Sequence, residues 1–497
     1  MDPGERCGWI AVLGAGCRPL ATLAPCALSL NVNAAWALSL FFLAISIALA
    51  FAGRRCATTT RTEPPTRIWQ RHLDRLVALV VLGATLAAFV RIHLHVGLSV
   101  LSAAMGSIVA LKLVIADRCR RRRRFGAAPQ GLRVCAVMPL HNEDPAYAVA
   151  GVASLLNQTR PLDRIHVIDD GSSDRGAAAD AVRAHLEAAA PNRDWEVTVF
   201  AANLGKRHAL AHGFRADERA DIYLCVDSDT VLQPDAVAEG LRPFSNHTVT
   251  GVAGLVSAHN RRRNLLTRLI DLRYVSAFLS ERAAYSAFGA VLCCCGSLSF
   301  YRASVIRENL HDFLNQLFLG KNATFGDDRR LTNYALRAGK VVLAERSRAA
   351  TAVPERLNHY VRQQVRWNKS FFRESLWVIS TFPVASAAFW LTVAELATWI
   401  VFGSMLVVTS TLILANGFDR VLPACTFVFL AAWARNTAYL EHHRDGVTRR
   451  DRLFVFALAP LYGLLHLVVL MPVRLYALAT LNRARWGTRA TIEVHLS

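Results

Sequence analysis

Six apolar stretches, at 34–52, 76–90, 96–116, 385–415, 421–440 and 453–475, fall near the ~20 residues a helix needs to cross a bilayer. Three precede and three follow a single polar stretch of about 131–373. A chain patterned this way puts hydrocarbon-facing helices at both ends and one water-facing unit between them. The polar stretch has ordinary globular composition and is long enough for one α/β domain.

Charge narrows the partners. The chain carries 57 Lys+Arg against 37 Asp+Glu, a net +20, which suits nucleic acid, anionic lipid or a phosphorylated substrate. The arginines concentrate at Arg54, Arg55, Arg61, Arg67, Arg71 and Arg75 and in DRCRRRRRF at 117–125, beside the apolar runs. By the positive-inside rule both clusters are cytoplasmic, so three N-terminal crossings deliver the soluble domain to the cytoplasm. The densest basic run hugs a membrane flank, and no nucleic-acid partner is expected. Eleven cysteines include no CxxC pair, and Cys293, Cys294 and Cys295 are consecutive, a spacing unsuited to a zinc site or a disulfide framework. They are expected to be reduced packing residues. Glu395 and Arg435 lie inside two separate apolar runs and are expected to pair across a helix contact.

Within the polar stretch, VCAVMP (134–139), RIHVIDDGSSD (164–174), VTVFAAN (197–203) and IYLCVDSDT (222–230) are β-branched runs closing on polar or acidic residues, with helix-like segments between them. Asp144 followed by Pro145 reads as an N-cap and first helical residue. This is a βαβ series and hence a mainly parallel sheet, in which ligands bind beyond the carboxyl ends of the strands. Asp169, Asp170, Asp227 and Asp229 would converge there. Clustered carboxylates need a cation or donors to offset their repulsion. Asp227 and Asp229, two apart in an extended segment, can point the same way and suit Mg2+ or Mn2+.

The motifs PLHNE (139–143), IDDGSSD (168–174), NLGKRHAL (203–210), VDSDT (226–230), GDDRRLT (326–332) and QQVRW (363–367) resemble the ordered set of the processive family-2 glycosyltransferases, and most closely their class I hyaluronan synthase branch. GDDRRLTNYALRAGK, QQVRWNKSFFRES and the terminal WGTR (486–489) carry the branch-level likeness. Ser297, in CCCGSLSFYR, stands where that pattern leads one to expect proline. The resemblance implies an α/β GT-A domain, Rossmann-like, embedded between N- and C-terminal helical transmembrane regions. The expected division is 1–33, a tail or weak extra membrane segment; 34–116, N-terminal membrane helices; 117–130, a basic linker; 131–376, the GT-A domain with interfacial helices; 377–480, a membrane channel; and 481–497, a tail.

The resemblance further implies UDP-sugar donors, here UDP-N-acetylglucosamine and UDP-glucuronic acid, a growing polysaccharide, a lipid bilayer and a plasma-membrane location. A β-1,4-N-acetylglucosamine polymerase is the alternative. A monomer is expected. By the same resemblance Asn142, Glu143 and Asp170 hold the uridine end, Lys206 and Arg207 lie near the base or diphosphate, and Asp227 and Asp229 hold the ribose and the Mg2+ or Mn2+ ion. Asp328 is assigned the general base, with Asp327 orienting it or capping a helix that begins at Arg329.

If 363–374 is helical, Arg366, Lys369 and Arg373 share one face and Trp367 and Phe371 the next. The cationic face would meet the diphosphate and the aromatic face a sugar, with Gln363, Arg366 and Trp367 in the catalytic group.

Overall fold

The computed structural model describes residues 98–483 apart from 123–124, 175, 324, 417–420 and 445. The expected tail at 1–33, the apolar runs at 34–52 and 76–90, the arginines of 54–75 and WGTR therefore lie outside the described residues.

Helix α1 (Leu98–Arg122) leads into the first strand of an eight-stranded sheet. Its strands are β1 (Val134–Leu140), β2 (Arg164–Asp169), β3 (Trp195–Val199), β4 (Ile222–Cys225), β5 (Thr230–Leu232), β6 (Val249–Ala258), β7 (Ser299–Arg302) and β10 (Lys340–Thr351). A separate two-stranded ribbon pairs β8 (Leu317–Phe318) with β9 (Lys321–Asn322). The order across the large sheet is β3-β2-β1-β4-β7-β6-β10-β5. The pairs β1–β2, β2–β3, β1–β4 and β6–β10 are parallel; β7 runs antiparallel to both neighbours, and β5 antiparallel to β10.

The expected βαβ series is therefore present, in a sheet that turns mixed beyond β4. Every residue of β1, β4 and β6 is buried, the continuous apolar character of strands covered on both faces. Helix α2 (Pro145–Leu156) begins as the sequence suggests: the Asp144 carboxylate accepts from the backbone N–H groups of Ala146 and Tyr147 at 2.8 and 3.4 Å, with Pro145 in the first turn. α2 packs on α3 (Ala177–Ala189), and α4 (Lys206–Ala216) packs on β1 and β2. α4 comes close because Gly213 has no side chain; a Cβ there would lie 2.4 Å from Val137 Cγ1.

Helices α5 (Leu265–Ser276), α6 (Asp327–Ala338) and α7 (Leu357–Thr381) join the sheet to α8 (Ala387–Asn416) and α9 (Val421–Asn436). Among the described residues one helical stretch, Arg449–Ala479, is long and apolar enough to cross a membrane. It is segmented at its prolines, with Pro460 and Pro472 each in the first turn of a helical piece, where the missing N–H costs nothing.

The expected Glu395–Arg435 pair does not form. Glu395 is engaged by Lys112 of α1 at 2.8 Å and by the Tyr285 hydroxyl, while Arg435 reaches Glu281 at 2.6 Å, which also takes both Arg273 Nη atoms at 2.9 and 3.0 Å. α1 and the Ala277–Arg282 turn lie against the apolar helices and supply nearer opposite charges than either residue offers the other.

Filling the α4–β1 contact should destabilise the fold: Gly213→Ala is expected to cost ~1–3 kcal/mol through overpacking against Val137, read as a lower thermal midpoint of the detergent-purified protein.

Candidate active site

The loops leaving β1, β2 and β4 meet at the carboxyl edge of the sheet, and side-chain bonds lock them together. Asn142 sits at φ 46°, in the left-handed region that asparagine tolerates better than most residues. Its N–H donates to Ser172 Oγ at 2.9 Å, and its Oδ1 accepts from Ser173 N and Oγ at 2.8 and 2.9 Å. Buried Glu143 accepts from Ser228 Oγ at 2.6 Å, tying the first loop to the DSD turn. Asp169 accepts from Ser172 N at 2.8 Å, closing its own turn. Asp170 accepts from the Leu204 and Gly205 amides at 2.8 and 2.9 Å and so anchors the loop entering α4. Burial raises its carboxyl above the ordinary range against the lowering pull of those amides.

The turn after β4 corrects the extended reading of DSD. Strand pairing stops at Cys225, and Thr230 N–H closes on the Asp227 carbonyl at 3.1 Å, so the two carboxylates have different neighbours. Asp227 pairs with Lys206 Nζ and accepts from Ser297 Oγ at 2.9 Å; Asp229 accepts from the hydroxyls of Thr351 and Thr230 at 2.8 and 3.3 Å. Ser297 thus adds a hydrogen bond to Asp227 that proline in its place could not supply.

Lys206, Asp227, Gly296, Asp327 and Asp328 line one crevice. Lys206 Nζ also lies 3.7 Å from Asp327. Burial opposes its charge, but the fields of Asp227 and then Asp327 prevail and hold its pKa above that of an ordinary lysine.

Gly326, at φ 89°, turns the chain into α6, which begins at Asp327, two residues ahead of the expected start. A Cβ on Gly326 would lie 2.3 Å from Ser370 Oγ, so glycine lets this turn press on α7. Asp328 accepts from Arg329 N–H at 2.8 Å and from the Cys293 thiol at 3.5 Å. Its carboxyl is raised above the usual range by burial first and then by the Asp327 charge. The Cys293 thiol is pushed up to about 12, mainly by burial and next by Asp328, so it remains a protonated donor. The cysteine run is thus free of disulfides, as expected, yet Cys293 does more than pack.

α7 is helical through 363–374, as expected, but its cationic face divides. Arg373 is buried, donates to the Phe325 carbonyl and lies 4.0 Å over the Phe325 ring. Lys369 donates to the Arg483 carbonyl at 3.2 Å. Arg207, expected near the base or diphosphate, instead donates to the carbonyls of Phe313 and Phe325 at 3.2 and 3.1 Å and braces the segment ahead of Gly326. In each case the nearest partner is a backbone carbonyl that the tertiary fold brings to the helix. Trp367 is 44% exposed, its ring centroid 6.1 Å from that of Tyr274, and Arg329 lies 5.3 Å over Phe371. The Gln363 amide oxygen is buried with no hydrogen-bond partner among the described residues.

Sequence reasoning missed Glu374. It is 2% exposed, pairs with Arg330 Nε at 3.0 Å and accepts from Gln316 Nε2 at 2.6 Å and Asn333 Nδ2 at 3.1 Å. This joins the acidic start of α6 to α7. The one signal available was a lone glutamate amid the apolar and basic residues after QQVRW.

A mixed α/β sheet with acidic turns at its carboxyl edge, a DSD turn and a GDD helix start is the arrangement of a GT-A glycosyltransferase. Residues 129–370 match the family described as "Glycosyltransferase like family 2". Over 383 residues the chain is 40% identical to a hyaluronan synthase of Streptococcus pyogenes, covering 74% of this chain and 86% of that protein. It is 34% identical over 362 residues to an N-acetylglucosaminyltransferase of Rhizobium leguminosarum bv. viciae, covering 72% and 82%. Among solved structures, the mannosyltransferase PcManGT from Pyrobaculum calidifontis, in complex with GDP-Man and Mn2+, aligns at TM-score 0.49 and 19% identity over 73% of this chain and 98% of that one. The chain belongs to the class I hyaluronan synthases of the family-2 glycosyltransferases.

Breaking the buried pair from one side leaves an uncompensated charge, so Glu374→Ala should lose roughly 3–5 kcal/mol of stability in denaturant titrations. If Asp328 acts as the general base it must be deprotonated to act, and a raised pKa then carries the loss of activity to higher pH. Asp327→Asn removes the like charge that helps raise Asp328, so the acid limb of the residual activity should move to lower pH than in the parent.

Proposed function

We propose that this chain is a membrane-embedded, processive, inverting glycosyltransferase that polymerises UDP-N-acetylglucosamine and UDP-glucuronic acid into hyaluronan and passes the polymer through its own helices. The 40% identity to a hyaluronan synthase across most of both chains carries this reading. The catalytic domain spans 131–376 and faces the cytoplasm, with 377–480 as the channel region.

In this reading the acceptor hydroxyl attacks the anomeric carbon of the donor, the bond from that carbon to the diphosphate oxygen breaks, and UDP leaves with the electron pair. Asp328 takes the hydroxyl proton. Its contacts support the role: the Arg329 amide and the Cys293 thiol fix the carboxylate at the crevice wall, and desolvation makes it a stronger base than an exposed aspartate. Asp327, 3.7 Å from Lys206 Nζ, orients that wall. Asn142, Glu143, Asp169 and Asp170 hold the uridine-side loops in the shape the nucleotide requires.

Asp227 and Asp229 offer only carboxylate oxygens, a donor set that fits Mg2+ or Mn2+ and not a thiophilic ion, and Lys206 on Asp227 marks the turn as a place where positive charge is needed. A bound ion would neutralise the diphosphate. Lys206 and Arg366 supply further positive charge to it. The Gln363 amide oxygen, without a partner among the described residues, suits a donor from the ligand, and the exposed indole of Trp367 offers a platform for the acceptor sugar.

Purified protein should make long polymer only when both UDP-sugars are present, and hyaluronidase should degrade it. Polymer from UDP-N-acetylglucosamine alone, cut by chitinase, would establish the chitin-type alternative. Asp328→Asn should lower synthesis by at least ~10²-fold while UDP-sugar binding persists. Chelator should abolish activity and Mg2+ or Mn2+ restore it; full activity in chelator would remove Asp227 and Asp229 from metal binding.

A further inference from the structure

Outside the residues that line the crevice, where β2 pairs with the edge strand β3, one ring nitrogen of His166, one of His212 and one Glu196 oxygen all lie within 4.8 Å of one another. Three elements contribute. His166 in β2 is in register with Glu196 in the edge strand β3, and His212 comes from α4, which packs over β2. The two imidazoles meet edge to face, with centroids 5.4 Å apart. We propose that His166, Glu196 and His212 form a binding site for a transition-metal ion of the zinc class, separate from the Asp227–Asp229 turn.

The state of His166 is an independent observation. The side chain is fully buried; Nε2 lies 3.0 Å from Thr198 Oγ1 and 3.8 Å from Glu196 Oε1, while Nδ1 has no hydrogen-bond partner among the described residues. Buried ring nitrogens are normally satisfied. One nitrogen held by a hydroxyl and the other left to a ligand is the pattern of a metal-bound imidazole, whose second nitrogen is fixed from outside. Glu196 is held in place as well: Arg164 donates to Oε2 at 2.5 Å, and Oε1 accepts from Thr198 Oγ1 at 3.3 Å and lies 3.8 Å from His166 Nε2.

Bonds of about 2.0–2.1 Å put tetrahedral ligands ~3.3 Å apart, so closure needs side-chain movements of about an ångström. Glu196, 43% exposed, and the part-buried His212 have room for them. The exposed edge strand supplies an entry path. Two imidazoles and one carboxylate suit Zn2+ or its neighbours in the first transition row, whereas Mg2+ prefers an all-oxygen set. A bound ion would fasten α4 to the sheet edge six residues after Lys206.

The test is Co2+ titration of the full-length protein, purified in detergent and stripped with chelator, read by visible d–d absorption. One equivalent per chain should develop bands, and Zn2+ should bleach them. The bands should vanish in His212→Ala and in Glu196→Gln and persist in Asp229→Asn. Glu196→Gln keeps the size of a half-exposed edge residue, and its far-UV circular dichroism should match the parent. Zn2+ should also raise the thermal midpoint of the parent and not of either variant. No bands, bands that survive both variants, or bands lost in Asp229→Asn would overturn the proposal and leave His166 as a buried neutral histidine hydrogen-bonded to Thr198.

Discussion

The helix that begins with Asp327 and Asp328 and the helix that carries Arg366 and Trp367 meet through the ion pair of Arg330 with Glu374, whose side chains are only 3% and 2% exposed. Two charges removed from water hold their place only when geometry and further hydrogen bonds compensate, and Gln316 and Asn333 complete the shell around Glu374. Around this pair the secondary contacts fall into line. Gly326 presses on Ser370, Arg329 covers Phe371, and Arg373 and Arg207 share the Phe325 carbonyl. The proposed base and the QQVRW segment are thereby set at a fixed separation, which a reaction needing in-line approach demands.

Much of the sheet was legible because its strands are short β-branched runs that end abruptly in polar motifs, a pattern local in the chain. β1, β2, β3 and β4, the Asp144 cap and the helical 363–374 all follow from such signals. β7, whose antiparallel course makes the sheet mixed, lacks them: SFYR is four residues long and lies just after the cysteine run.

The cations were harder to place. Arg207, Lys369 and Arg373 neighbour catalytic motifs in sequence, but whether a guanidinium or ammonium faces a ligand or a carbonyl depends on which helix ends and loops the fold brings up. Glu395 and Arg435 were legible as charges needing partners, yet the partners, Lys112 and Glu281, come from segments nearly three hundred and about one hundred and fifty residues away. The crevice was legible as a set of carboxylates, while its internal order depends on one turn after Cys225.

The helix α1 is tied at several points. Lys112 holds Glu395 of α8, and Arg120 bridges Glu345 of β10 at 2.8 Å and Glu441 at 3.2 Å. Sheet, entry helix and exit helices are thus bolted into one frame. In a polymerase of the proposed kind, a frame joined this way across the described residues would leave the displacement in each cycle to the sugar chain, which would slide like a rope through a fixed pulley block.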